Sequence, residues 1–217
     1  MISEPLSQYE EILKDAIRTS MKESGAKLAK TFQTLLIEIL TLYMILPRKI
    51  NFTQMARYGK HGEQTYRQNF NRKKKDCIDW LLLNLSLARR VLDMDGLLAI
   101  AIDPCYISKA GKKTPHIGRF WSGCAGAVKH GLEIMGVGLL DAASNKCMML
   151  RAHQTIGNSA LKMRNKILVE YYICVMKRYS KKLLSITDIV VADAFFSTST
   201  FEKGMSELGF YLVSRFR

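Results

Sequence analysis

Leu97-Leu98-Ala99-Ile100-Ala101-Ile102-Asp103 and Ile189-Val190-Val191-Ala192-Asp193 are the two stretches that decide the fold. Each is a continuous apolar run closed by an aspartate. Uninterrupted runs of this length read as buried strands. An acidic residue ending such a strand emerges at the sheet's rim, where it can hold a divalent cation instead of facing solvent across a helix. Two such ends on adjacent strands would bring Asp103 and Asp193 together and make a metal-dependent phosphodiester chemistry plausible. The competing reading is that each aspartate only caps the turn after its strand, a common role for this residue.

Between the two runs the periodicity yields more strands. A glycine- and lysine-rich excursion follows Asp103, running through Ser108-Lys109-Ala110-Gly111-Lys112-Lys113-Thr114-Pro115 and Gly118-Arg119-Phe120-Trp121-Ser122-Gly123. Gly131–Leu140 and Cys147–His153 then have strand length and are bounded by turn residues, so the spacing predicts an antiparallel meander with the first run. One long amphipathic helix is expected next, capped at Asn158 or Ser159, with Leu161, Leu168, Tyr172, Val175, Tyr179 and Leu183 on one face. After the second run come a helix over Thr200–Leu208, stopped by Gly209, and a last strand, Phe210–Ser214.

The first ninety or so residues read as helical. Leu6, Tyr9, Leu13, Ala16, Ile17 and Met21 recur at three- and four-residue spacing, as do Leu28, Phe32, Leu35, Leu36, Ile39 and Tyr43. Gly25 separates the two helices and Pro47 closes the second. Asn51–Tyr58, the turn Gly59-Lys60-His61-Gly62, and Glu63–Phe70 have the proportions of a helix-turn-helix. On that reading Gln64, Thr65, Arg67 and Gln68 lie near the start of a recognition helix, with groups suited to base edges and phosphates. Arg72, Lys73, Lys74 and Lys75 would extend the contact along the backbone. A helical hairpin whose charged face meets only water is the alternative.

Thirty-three Lys and Arg against nineteen Asp and Glu give the 217-residue chain a formal charge of +14, which favours a polyanionic partner. The apolar stretch Leu35–Leu46 is too short for the roughly 18 to 20 residues of a membrane helix and is expected to be a core helix. The N-terminus has no secretory pattern. Five widely spaced cysteines without a C-x-x-C pair fit reduced thiols in a cytoplasm, each expected as a small buried hydrophobe.

Asp103, the Lys-Lys turn, the segment Gly118-Arg119-Phe120-Trp121-Ser122-Gly123, the strand Gly131-Leu132-Glu133-Ile134 and then Val191-Ala192-Asp193-Ala194-Phe195-Phe196 occur in an order that resembles the catalytic core of DDE transposases of bacterial insertion sequences. The resemblance covers most of the chain and is densest from Ala101 to Asp141. It implies an α/β fold with an RNase H-like mixed sheet flanked by helices, preceded by an all-α region of helix-turn-helix type. The expected division is a DNA-binding region over 1–95 and a catalytic domain over 96–217. It implies Asp103 and Asp193 as catalytic and metal-binding residues, with Mg²⁺ or Mn²⁺ as cofactor. The partners implied are double-stranded DNA of transposon ends and target, and a second copy of the chain. A cytoplasmic, nucleoid-associated location follows. The family carries a third acidic residue, usually a glutamate on a later helix. No position here matches it, so a C-terminally truncated product is expected.

Lys109, Lys112, Lys113, Arg119 and Lys129 around the excursion are expected to meet a phosphate backbone. Trp121 either stacks on an unpaired base or, with Phe120, fills the space beneath a long hairpin. His116, His130 and His153 match no zinc spacing. Asp141 and Glu170 have no matching family role. Three functions compete: a transposase or a fragment of one, a catalytically inactive protein that occupies element ends, and a general RNase H-type nuclease.

Overall fold

A computed structural model describes residues 4–47, 50–71, 78–111, 114–163 and 167–215. The chain divides into two compact units, Met1–Val91 and Leu92–Arg217.

The first unit is helical: α1 (Glu4–Ser24), α2 (Lys30–Ile45), α3 (Phe52–Tyr58), α4 (Glu63–Asn71) and α5 (Trp80–Ala88). Gly25 stops α1 in the left-handed region at φ 71°, a conformation glycine adopts without a side-chain penalty. The third and fifth helices start on side-chain caps: Asn51 accepts from the Gln54 N–H at 2.8 Å and Asp79 from that of Leu82 at 3.1 Å. Helix α2 is apolar around most of its circumference and serves two clusters. Phe32, Leu36 and Ile37 pack with Leu13 and Ile17 of α1 and Leu83 of α5, while Leu35, Ile39 and Leu42 pack with Met55 and Tyr66. Among the described residues no helix is long and apolar enough to cross a membrane.

The second unit is a mixed sheet of β1 (Leu98–Ser108), β2 (Gly118–Ser122), β3 (Ala127–Asp141), β4 (Lys146–Gln154), β5 (Ile189–Ala192) and β6 (Tyr211–Ser214), with α6 (Asn158–Lys162), α7 (Leu168–Leu184) and α8 (Ser199–Glu207). The order is β2-β3-β1-β5-β6, with β4 also on β3. β1, β3 and β4 form the expected antiparallel meander, and β5 and β6 run parallel to β1. Leu139, Val137 and Met135 of β3 are buried on one face with Ile100 and Ile102 of β1 and Val190 of β5. Helix α7 covers that face with Tyr172, Val175, Met176 and Leu183, and α8 adds Phe201 and Met205. The two helices approach so closely that a Cβ on Gly204 would sit 2.5 Å from Ile173 Cδ1.

Three expectations need correction. β1 does not end at Asp103 but runs on to Ser108, because the fifteen residues of β3 supply partners down to Gly131. Pro104 is tolerated inside it because β5 ends at the Ile102↔Ala192 pair, leaving that edge of β1 with no ladder to interrupt. Part of the excursion is itself a strand, β2, paired with the start of β3. The single long helix is two, since α7 has its own start at Leu168, where Glu170 accepts a hydrogen bond from the Ile167 N–H at 3.1 Å.

Candidate functional site

The parallel register Ile100↔Val190, Ala101↔Val191, Ile102↔Ala192 makes Asp103 and Asp193 the next residues on two neighbouring strands. Alternation along β1 points Ile100 and Ile102 into the helix-covered face and Asp103 to the other. Asp193 ends β5 and caps a 3-10 turn, Ala194–Phe196, its Oδ1 accepting from the Phe195 N–H at 3.0 Å. The Ser214 hydroxyl donates to the Asp193 carbonyl at 2.8 Å, so β6 braces the same corner. Behind it, Phe195 and Phe196 pack edge-on at 5.2 Å and Phe196 tilts against Phe201 at 4.7 Å. Thus one oxygen of Asp193 serves the turn while Asp103 has no hydrogen-bond donor among the described residues. Burial, and then the negative charge of Asp193, push the Asp103 carboxyl above its ordinary value.

Two carboxylates set side by side, with mutual repulsion and no basic side chain of the described residues between them, fit a hard divalent cation that takes oxygen ligands. No group of three or more metal-ligating side chains occurs among the described residues. Asp141 is at the far end of β3, opposite Leu98, where it accepts from the Ala143 and Ser144 N–H groups and from the Ser144 hydroxyl at 2.6 Å. Glu170 caps α7. Neither joins the pair.

Sequence reasoning passed over Glu133. It is 6% exposed on the helix-covered face of β3 and accepts a hydrogen bond from the Tyr172 hydroxyl. Burial and the Glu133 carboxylate push the Tyr172 phenol far above its usual range. Tyr172 also packs against Phe196 at 5.4 Å, so this buried pair stands behind the Asp193 turn. A glutamate two residues before the apolar Met135 and in phase with it was the available signal.

The residues expected to touch DNA fall in separate places. Gln64, Arg67 and Gln68 are exposed on one side of α4, while Thr65 is half-buried. Arg67 already pairs with Glu63 and stacks over Phe52 at 5.0 Å. In the sheet unit Lys109 is exposed. Cross-strand pairs Arg119↔His130 and Trp121↔Val128 lie on the face that carries Asp103, whereas Phe120↔Lys129 lies on the opposite one. Trp121 is 60% exposed and Phe120 4%, so the phenylalanine fills the space beneath the hairpin and the tryptophan faces solvent. Arg72, Lys73, Lys74, Lys112 and Lys113 lie outside the described residues, as does Cys77. The other cysteines, Cys105, Cys124, Cys147 and Cys174, form no disulfide, as expected, but are exposed, contrary to the buried placement that cysteine usage favours. Cys105 and Cys147 are on the sheet face without a helix, and the other two are on a turn and on the outer side of α7.

The turn between α3 and α4 is held by a polar cluster. Glu38 of α2, 12% exposed, accepts from the Tyr66 hydroxyl and from the Lys60 N–H at 2.5 Å, and lies 2.8 Å from His61 Nδ1. A Cβ on Gly59 would fall 2.1 Å from the Tyr66 hydroxyl, so only glycine fits there.

A mixed sheet with a parallel β1–β5 pair, an antiparallel meander beside it and two adjacent aspartates is an RNase H-like nuclease scaffold. A family model described as DDE superfamily endonuclease matches residues 26–164, well over half of the chain. The chain belongs to that family, a DNA-acting nuclease family of the transposase type. The match includes Asp103 and ends before Asp193. No curated protein matches the chain.

Proposed function

We propose that this chain is a DDE transposase, or part of one, that binds insertion-sequence ends and carries out metal-dependent hydrolysis and strand transfer. The observation that carries the reading is the placement of Asp103 and Asp193 one step beyond the Ile102↔Ala192 pair. These two carboxylates would hold Mg²⁺ or Mn²⁺. When bound, such ions supply activation of the attacking oxygen and neutralisation of charge at the phosphate. The protein's own part is positional. The Phe195 N–H fixes one oxygen of Asp193, Ser214 braces its carbonyl, and the open sheet face leaves room for a phosphate beside Asp103.

In this reading the first unit reads the element end through Gln64, Arg67 and Gln68, with Thr65 near the helix start. Arg119 and Trp121 hold the same DNA on the acid-bearing face. His130, which pairs with Arg119, is six residues along β3 from Gly136, which pairs with Asp103, a separation of about 20 Å at roughly 3.3 Å per residue. At about 3.4 Å per nucleotide, a DNA strand laid along β3 would meet Arg119 about six nucleotides from the reacting phosphate and Trp121, whose partner Val128 is two residues further on, about eight. Lys109, Lys112 and Lys113 extend the backbone contact, the protein acts as a dimer on paired ends, and its place is the bacterial cytoplasm, at the nucleoid.

The test is Mg²⁺- or Mn²⁺-dependent nicking of a labelled insertion-sequence end, with Asp103→Ala and Asp193→Ala as controls. Nicking lost in both variants supports the assignment. Nicking that persists in both overturns it. Binding without nicking by the unaltered chain would assign it instead as a non-catalytic protein that occupies element ends.

A further inference from the structure

The 46 residues from Ala142 to Thr187 contain nine Lys and Arg and a single acid, Glu170, and so carry +8 of the chain's formal +14. They form β4, α6 and α7, elements to which neither Asp103 nor Asp193 belongs. Glu170 is occupied at the start of α7, about three turns from the basic end of that helix.

Five of these cations, Arg151, Lys177, Arg178, Lys181 and Lys182, stand on β4 and α7, two elements joined by the Arg151–Tyr179 and His153–Tyr171 contacts. Tyr172, Val175, Met176 and Leu183 turn one side of α7 into the sheet, which leaves Lys177, Arg178 and Lys181 exposed on the outer side. None of these three has an ion-pair partner among the described residues. On β4, Arg151 and His153 pair with Val137 and Met135, so they point to the same face as α7. Arg151 lies 5.8 Å over the Tyr179 ring, and its Nε is shielded from water without a hydrogen-bond partner. His153 is 3.1 Å from the Tyr171 hydroxyl and edge-on to Tyr179 at 6.4 Å. Lys182 is on the same side of the helix, one turn from Arg178.

The result is a cationic surface, or ledge: Lys177, Arg178 and Lys181 are exposed on the outer side of α7, and beside the helix, at the β4 edge of the sheet, Arg151 lies over the Tyr179 ring. Lys177 and Lys181, one helical turn apart, stand about 5 to 6 Å from each other, a spacing at which charges can follow a row of phosphates. Helix α7 covers the sheet face opposite the Asp103 carboxylate. A duplex lying on this ledge is therefore not the stretch whose phosphate meets the aspartates.

We infer that the α7–β4 ledge is a second DNA-binding surface, which grips a duplex backbone independently of base sequence and apart from the carboxylate pair. The choice of DNA rests on the nuclease reading above; the surface itself rests on charge and geometry.

The experiment measures binding of a labelled random-sequence duplex by fluorescence anisotropy across a salt series. It compares the unaltered chain with Lys177→Glu/Arg178→Glu/Lys181→Glu and with a charge-matched control on exposed residues of the first unit, Lys22→Glu/Lys27→Glu/Lys30→Glu. Circular dichroism and thermal melting establish that each variant is folded. The expected result is about tenfold or more weaker binding for the α7 variant. Its log–log salt slope should be shallower by about 2 to 3, since each lost phosphate contact removes about 0.9. The control should stay near the unaltered chain. Equal affinity and slope in the α7 variant, or an equal loss in the control, would overturn the ledge. No duplex binding by the unaltered chain would overturn it too, and the family's DNA reading with it. Displacement of the duplex by polyglutamate at matched charge would overturn DNA as the occupant in favour of an acidic protein. Asp103→Ala retains binding in the expected outcome, which separates failure of the cutting site from failure of the ledge.

Discussion

Glu38 is a largely buried carboxylate and Asp103 an exposed one on the sheet face without a helix, and their surroundings are opposite. Glu38 is surrounded by donors: the Tyr66 hydroxyl, the Lys60 N–H and His61. Burial, the largest single influence, pushes its carboxyl up, but these hydrogen bonds and the histidine together outweigh it and hold Glu38 below the ordinary value. Asp103 has no such donor among the described residues, and its neighbour is another acid, which leaves its carboxyl raised. A carboxylate whose every lone pair is used internally holds a fold together. One left facing a like charge destabilises the empty protein and gains when a cation arrives. The contrast is the one expected between an acid that holds a fold together and one that receives a cation.

The largest expected effect falls on the Asp103 side of that comparison. Asp103→Asn should lower metal-dependent nicking about a thousandfold or more, some 4 kcal/mol of barrier, while leaving the melting temperature unchanged or higher. A large drop in melting temperature would mean that Asp103 is structural after all. The converse holds for Glu38. Glu38→Ala should destabilise the first unit by about 1 to 3 kcal/mol, because it leaves the Tyr66 hydroxyl buried without its acceptor. The unfolding midpoint in urea reads this directly, and an unchanged midpoint would remove the cluster from the account.

Acid sharpens the same distinction. A carboxyl held low in the folded state binds its proton less readily there than in the unfolded chain, whose value is near 4.5. The stability from Glu38 is therefore fully present above that pH and lost as pH falls through the lower folded value. Urea midpoints of the unaltered chain should fall below about pH 4.5, and Glu38→Gln should flatten that dependence. The smallest effect belongs to His61, whose side chain is 40% exposed. His61→Gln should cost less than about 1 kcal/mol, the range of solvent-exposed pairs, and a larger loss would make the histidine an equal member of the cluster.

How much was legible in the sequence varies with range. The two aspartates were legible because each follows an apolar run of strand length, although helices cover only one face of the sheet and leave Leu97 and Val191 on the other. The helices of the first unit were legible through their apolar spacing, and Gly25 and Gly209 through their left-handed backbone needs. Glu133 was not, because an acid within an apolar strand is tolerated only when a partner from another element meets it, and Tyr172 lies 39 residues away. The continuation of β1 past Asp103 was hidden for the same reason: the segment opens with Pro104, which argues against a strand interior, and only the length of β3 makes it a strand. The exposed cysteines show that residue type sets only a tendency: for Cys105 and Cys147 the sheet face left without a helix decides the outcome.

The sequence by itself determined the buried strands, the helical start, the basic balance and the identity of both aspartates, since these rest on local periodicity and composition. Only the tertiary structure decided that Asp103 and Asp193 are neighbours, that Arg119 and Trp121 share their face while Lys129 does not, and that the charge of α7 gathers behind them. Strand register and face are set by pairing between distant segments, and a one-residue change in register exchanges every side chain between the two faces of the sheet.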